Sequence, residues 1–402
     1  MTIEIRNPAA EELRRAMEAT HVAFAEPLTD ENFERHSKML PLHRFYGAYD
    51  DGLPVGTAAD YEFRLTVPGG ELATGGVTWV GVMPSHRRRG ILTQLMRREL
   101  DDIHERGEPL AILWASEAAI YGRFGYGIAA PTVQLHADQS RFALREDPGP
   151  VGRTRIVPLE DALEPCRHVY DTVRPTVPGF TARTDDWWTT FRLADPEDFR
   201  RGASQKFAAV VELDDAPAAY ALYRIKQSWE HGFSGSQVRL VETVASGPTA
   251  ERELWRFIFG IDLIATVEGR LDPASPLFLM SVDPRSLHLR VSEGLWLRLV
   301  DVEAALAARS YPGDGEVVLD VRDEFCSWNA GRYRVGVGGA ERTDAQPDLE
   351  LDVADLASVY LGAFTFNRLA AAERVRELKA GALERADTLF RTPRPPYCPE
   401  DF

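Results

Sequence analysis

The stretch richest in chemistry runs from Thr78 to Thr93 (TWVGVMPSHRRRGILT), where Arg87, Arg88 and Arg89 stand immediately before Gly90. A strand is expected to end at Pro84, and an amphipathic helix to begin at Gly90. A turn entering a helix presents backbone N–H groups with no intrahelical acceptor, at the positive end of the helix dipole. Guanidinium groups add charge-assisted bonds to phosphate oxygens, and a glycine lets the backbone approach a bulky anion closely. With no anion there, the three charges oppose the dipole at a cost of about 0.3–1 kcal/mol each. A solvated arginine cluster before an ordinary helix leaves that conflict standing, whereas a pyrophosphate resolves it.

Other chemistries find little support. Cys166, Cys326 and Cys398 are far apart, an odd and sparse set that suits a reducing cytoplasm. No CxxC, HExxH or Cys/His cluster is present, so no metal site is expected. GxSxG, GxxxxGK[ST] and GxGxxG are also absent, and Gly336-Val-Gly338-Gly339 reads as a turn or bulge. The chain has 402 residues, 44% hydrophobic and 27% charged, which is too long for one core and predicts two or three globular domains. Its 46 Lys+Arg against 62 Asp+Glu give a net charge of −16, a poor match to nucleic acid or anionic lipid. No apolar run approaches the roughly 18 residues of a membrane span. The mixed, acidic start MTIEIRNPAAEELRRAME does not read as a signal peptide.

The elements that must position the arginine turn are legible around it. A helix is expected over Ala9–Ala25, then strands over Phe45–Asp50, Pro54–Val67 and Gly75–Met83. Apolar residues Ile91, Leu92, Leu95, Met96, Leu100 and Ile103 share one face of a helix from Gly90 to Arg106. Pro109–Ala115 reads as a buried strand, Glu117–Phe124 as a short helix stopped by Gly125, and Val133–Leu135 as the start of a further strand. This is an α/β (α+β) layout with helices on the faces of a sheet.

The Pro/Gly-rich segment Glu146–Arg155 reads as a linker. Beyond it a similar order recurs weakly: strands over Ala218–Gln227 and Gln237–Ala245, a helix from Pro248 to Gly260, then a strand over Leu263–Gly269. The arginine-rich turn is missing from this second copy. From about residue 295 the pattern changes to strands over Glu316–Arg322, Ser327–Val337 and Pro347–Leu351, then helices over Val353–Leu361, Phe366–Arg376 and Gly381–Arg391. Prolines 393, 395, 396 and 399 make the tail stiff and extended.

Arg87-x-x-Gly90 between a strand and a helix resembles the coenzyme A pyrophosphate loop of the GNAT superfamily of N-acetyltransferases, with Leu92 where that pattern has a second Gly or Ala. His86-Arg-Arg-Arg-Gly-Ile-Leu, Ser116-Glu117, Ile120-Tyr-Gly-Arg-Phe-Gly-Tyr126 and the terminal Phe402 are similar to the Eis acetyltransferases, as are the length and three-part layout. The resemblance implies a catalytic acetyl-CoA-binding domain over 1–145, a second acetyltransferase-like domain over 146–294 and a sterol-carrier-like domain over 295–402. It implies that Val80, Gly81 and Val82 pair with the pantetheine arm. Arg88, Arg89, Gly90, Ile91, Leu92 and Thr93 would hold the pyrophosphate, and Ser116 and Glu117 would line the gap for the thioester.

Acetyl transfer to an amine needs a base for the ammonium, donors for the developing oxyanion and an acid for the departing thiolate. By the resemblance Tyr121 is the acid; a phenol with a pKa near 10 is protonated at pH 7. The base implied is the carboxylate of Phe402, although chain ends ordinarily fray. Glu117 is a second candidate by position. Glu26, Glu400 and Asp401 could surround a cationic acceptor, and Trp79 could pack against it. The resemblance further implies aminoglycoside-like, polyamine or lysine-type acceptors and a cytoplasmic homohexamer. The alternatives are a non-catalytic coenzyme- or lipid-binding protein, or an acyltransferase for longer chains.

Overall fold

The computed structural model describes residues 3–146 and 148–402. Met1 and Thr2 of the expected first domain, and Asp147 of the expected linker, lie outside the described residues. The chain forms two compact units. One comprises Met1–Ala130, Gly294–Pro393 and Glu400–Phe402; the other comprises Pro131–Glu293 and Arg394–Pro399.

The first unit begins with β1 (Glu4–Arg6), α1 (Leu13–Phe24), α2 (Asp30–Met39), β2 (Phe45–Asp50), β3 (Leu53–Val67) and β4 (Gly70–Val82). There follow α3 (Ile91–Glu105), β5 (Leu110–Trp114) and the short α4 (Ala118–Tyr121). Strands β1 to β4 are consecutive antiparallel neighbours. Helix α3 crosses from β4 to β5, which run parallel. The strand Arg290–Leu299 closes the far side of β5, with Leu295 opposite Trp114. Ile91, Leu95, Met96, Leu100 and Ile103 are buried along α3, as its periodicity predicts.

Two features part the sheet. Strands β4 and β5 pair only at Thr74–Leu110, Gly75–Ala111 and Gly76–Ile112, although β4 continues to Val82. On its other edge, the register of β4 against β3 shifts between Thr57 and Ala59. Trp79 sits in that bulge at φ 53°. A bulge bends the strand and re-aims its side chains, and here it lies where β4 leaves β5.

The C-terminal part of this unit is a five-stranded sheet in the order Gly339–Arg342, Gly331–Gly336, Glu316–Arg322, Leu349–Asp352, Val375–Glu377. Gly336 pairs with Gly339 across a two-residue turn. The helix expected over Phe366–Arg376 stops at Ala371. Glu373 turns the chain at φ 60°, and Val375–Glu377 becomes a strand antiparallel to Leu349–Asp352. Edge-strand hydrogen bonds thus override a continued helical pattern.

In the second unit the strand order is the part of Gly127–Asp138 from Pro131 on, then Thr266–Leu271, Gln237–Ala245, Ala216–Lys226, Phe207–Leu213, Arg153–Val157. Gln237–Ala245 and Thr266–Leu271 are parallel and joined by the helix Pro248–Phe259, repeating the β4–α3–β5 pattern. Here Gly247 at the N-cap is extended and Pro248 opens the helix, so no cationic turn forms. The last strand starts later than residue 263, because Leu263 adopts φ 61°. Residues Arg394–Pro399 of the tail also belong to this unit. Tyr397 and Cys398 are buried, the Tyr397 N–H donates to the Pro178 carbonyl at 2.9 Å, and Arg394 pairs with Asp272.

Candidate active site

A groove of about 650 Å³ lies where β4 and β5 part. Val80, Gly81 and Val82 form one side; Arg88, Gly90, Ile91, Leu92 and Thr93 form its floor at the start of α3. Ser116, Glu117 and Tyr121 form the other side. Arg88 adopts φ 63° and Gly90 φ 76°, so the turn coils tightly before the helix. A Cβ on Gly90 would meet nothing within 4 Å, so it is the left-handed backbone that calls for glycine there. The first helical bond is from the Gln94 N–H to the Gly90 carbonyl at 3.2 Å. The N–H groups of Ile91, Leu92 and Thr93 therefore have no acceptor one turn back.

The three arginines part company. Arg87 donates to the carbonyls of Val82 and Ala23, at 3.4 and 3.3 Å. Arg89 pairs with the buried carboxylate of Asp50 at 3.4 Å and does not line the groove. Arg88 lines it and has no ionic or hydrogen-bond partner among the described residues. The close approach at Gly81 is to α1: a Cβ there would lie 3.0 Å from Thr20 Cγ2 and 3.4 Å from Ala23 Cβ. Beyond Gly76, no strand pairs with the β5-facing edge of β4 among the described residues, leaving it open to an extended ligand. Free amides at a helix start, an unpaired guanidinium and an open strand edge are a donor set that fits a pantetheine diphosphate.

A second cavity of about 290 Å³ adjoins the first. Both are lined by Phe24, Val80, Ser116 and Tyr121, which form the neck between them. The smaller one is walled by His21, Glu26, His36, Trp79, Trp114 and Phe402. Trp79, turned by its bulge, is flanked by His21 at 5.4 Å and His36 at 5.0 Å between ring centroids. His36 Nδ1 is 3.0 Å from the Tyr61 hydroxyl. Burial holds the His21 imidazole below its usual pKa, against the opposing pull of Glu26. Glu400 is buried and Asp401 exposed, and neither lines this cavity.

Tyr121 ends α4 just before Gly125 turns the chain at φ 81°. It is buried against Tyr126, ring centroids 5.9 Å apart, in a cluster with Met96, Leu100 and Phe124. Burial pushes its hydroxyl up to about 12, with Glu99 and Glu117 adding to the effect. The hydroxyl therefore keeps its proton across the neutral range.

Thr20, His21, Phe24 and His36, which line the smaller cavity, come from α1 and α2 and were not expected from the sequence. Thr29, whose hydroxyl accepts from the Asn32 N–H, caps α2 ahead of Asp30 and Glu31. That is a readable helix start, but nothing local says which face of α2 meets β4.

Two models described as acetyltransferase (GNAT) domains match residues 4–129 and 179–299, and one described as a sterol carrier protein domain matches 302–399. The fold is therefore two acetyltransferase domains and a sterol-carrier-like domain. The chain is 43% identical to an uncharacterized N-acetyltransferase of Streptomyces avermitilis, covering 92% of each. It is 35% identical to the N-acetyltransferase Eis of Mycobacterium tuberculosis over 85% of this chain and 84% of that one. The crystal structure of Eis1 from Mycobacterium abscessus superposes with a TM-score of 0.85 at 33% identity, covering all of both chains. The chain belongs to the Eis family of N-acetyltransferases. It is an enzyme of acyl transfer whose cosubstrate is acetyl-CoA. Among the described residues no helix is long and apolar enough to cross a membrane, and no group of three or more His, Cys, Asp or Glu could hold a metal.

Proposed function

We propose that the enzyme moves an acetyl group from acetyl-CoA directly to a primary amine of a cationic acceptor, such as a polyamine, a lysine side chain or an aminoglycoside-like molecule. The observation that carries this reading is the shared neck: groove and cavity meet at Phe24, Val80, Ser116 and Tyr121. The groove takes the coenzyme along Val80–Val82, with its diphosphate over Arg88–Thr93. The cavity takes the amine. Acetyl-CoA supplies an activated acetyl thioester.

The residues divide the proton work. The Phe402 carboxylate accepts the ammonium proton through water and frees the nitrogen lone pair. The amine then attacks the thioester carbonyl; the new C–N bond replaces the C–S bond, and the nitrogen gives up its second proton to water. Tyr121 donates its hydroxyl proton to the departing sulfur. Glu26 and the terminal carboxylate attract the cation, and Trp79 offers an indole face to it. Cytoplasmic action, a homohexamer and the three-part division at 145 and 294 belong to the same reading.

The experiment is turnover of acetyl-CoA by the full-length protein with a panel of polyamines, lysine derivatives and aminoglycosides, read as free thiol and as acetylated product by mass. Acetylated amine is the expected result. Coenzyme binding without product from any amine would favour a binding protein instead. Faster turnover with longer acyl-CoA esters would make it a longer-chain acyltransferase.

A further inference from the structure

Of the three guanidinium groups that line the coenzyme groove, Arg87, Arg88 and Arg123, two have neither an ionic nor a hydrogen-bond partner among the described residues. Arg87 is engaged by backbone carbonyls and Arg89 by Asp50. Arg88 is left free at the Gly90 turn. The other is Arg123, which is exposed on the opposite wall just past Tyr121. Its guanidinium lies 4.9 Å from the Phe124 ring centroid and has no ion pair or hydrogen bond among the described residues.

A diphosphate over the start of α3 satisfies Arg88 and the free amides there. It leaves a second cation unmatched, on a separate element. We infer that Arg123 binds the ribose 3′-phosphate of the coenzyme, a phosphomonoester set apart from the diphosphate. Such a group carries nearly two negative charges at neutral pH and presents paired oxygens to the planar guanidinium fork. The inference rests on the acetyl-CoA reading above and adds a recognition element to it.

Arg123 also borders a further cavity of about 560 Å³ that contains Asp323, Glu324, Asp352 and Asp355. Three of those carboxylates are already engaged. Asp355 pairs with Arg374 at 2.6 Å, Asp323 with Arg298, and Asp352 caps the helix Val353–Tyr360. None lies within ion-pair distance of Arg123, so the arginine remains available to the groove.

The test is calorimetric titration of the full-length protein with coenzyme A and with 3′-dephospho-coenzyme A. Wild type is expected to bind coenzyme A about tenfold more tightly, roughly 1.4 kcal/mol, with the preference shrinking as salt is raised. Arg123→Ala should abolish the preference by weakening coenzyme A alone, and Arg123→Lys should keep part of it. Arg88→Ala should weaken both ligands alike. Equal affinities in wild type, or equal losses for both ligands in Arg123→Ala, would overturn the assignment while leaving the acetyl-CoA reading intact. Binding of neither ligand to wild type would instead remove that reading.

Discussion

The ring of Phe402 meets the ring of Phe63 edge-on, centroids 5.0 Å apart with 65° between planes. Tyr61, on the same strand, approaches it at 6.4 Å. The last residue of the chain is therefore seated on β3 by aromatic packing rather than left to fray. Its carboxylate belongs to a residue that walls the smaller cavity. Aromatic pairs of this geometry add about 0.5–1.5 kcal/mol beyond the area they bury, enough to hold a terminus in place.

Gly76 makes room for this seat. A Cβ there would fall 2.3 Å from Phe63 Cε2 and 3.4 Å from Phe402 Cε2. Gly76→Ala should overpack the site at a cost of about 1–3 kcal/mol. Thermal melting should show a loss of several degrees, and kcat should fall with it as Phe402 is displaced. An unchanged melting temperature and kcat would show that Phe63 yields freely.

Appending a single residue after Phe402 keeps the ring but removes its carboxylate. Steady-state kinetics should show kcat lowered about 100-fold with little change in KM for acetyl-CoA. Phe402→Ala keeps a terminal carboxylate without its aromatic seat and should retain more activity than the extended chain. Full activity in the extended chain would take the tail out of the chemistry.

As the proposed acid, Tyr121 should set the alkaline behaviour. Its hydroxyl is pushed up to about 12 by burial, so the proton-donating form persists well beyond the ordinary tyrosine value. The pH profile of kcat should have no falling limb between about pH 8 and 10, where a free phenol would begin to ionise. Tyr121→Phe should lower kcat about 100-fold or more with KM for acetyl-CoA preserved. A falling limb near pH 9.5 that vanishes in Tyr121→Phe would contradict the buried donor.

Arg88→Ala should raise KM for acetyl-CoA about tenfold and leave kcat at saturation near wild type, because the contact is to a non-reacting part of the cosubstrate. Initial-rate kinetics over a wide coenzyme range decide it. A fall in kcat with unchanged KM would place Arg88 in the reaction itself.

Glu99 is a buried carboxyl on α3, and neither of its oxygens has a hydrogen-bond partner among the described residues. Burial raises its pKa well above the usual range, with Asp60 adding to the effect. The folded state then holds a proton that the unfolded state releases above about pH 4.3. Stability contributed by this proton is complete below that pH and is lost as pH rises toward the folded pKa. Glu99→Gln should therefore raise the melting temperature more at pH 8 than at pH 5. Equal gains at both would mean that Glu99 is charged in the folded protein.

The readable part of this protein was its local chemistry. The arginine turn, the Gly90 start of α3, the buried face of that helix and the boundaries of Phe45–Asp50, Gln237–Ala245 and Glu316–Arg322 all follow from periodicity, capping and turn preference. These depend on neighbours within a few residues. The resemblance of Arg87–Gly90, Ser116-Glu117 and Tyr121–Tyr126 to the Eis enzymes then carried the cosubstrate, and it is the ground on which Tyr121 is proposed as acid and the Phe402 carboxylate as base.

What the chain could not show by itself is how its charges and rings are shared out in space. Three adjacent arginines look equivalent in sequence, yet Arg87 turns to backbone carbonyls at the edge of the groove, Arg89 to Asp50, and Arg88 lines the groove with no partner among the described residues. The missing Cβ of Gly81 makes room for Thr20 and Ala23 of α1, which its place in the strand does not tell, while the residue also lines the groove. The imidazoles beside Trp79 come from helices more than 40 residues upstream of it, brought there by the bulge in β4 and the packing of α1. Local sequence determines which elements form and what chemistry they carry. The partner of each charge is chosen by long-range packing, because a buried or half-buried ion takes whatever counter-group the folded surfaces bring within a few ångströms, and sequence distance does not measure that.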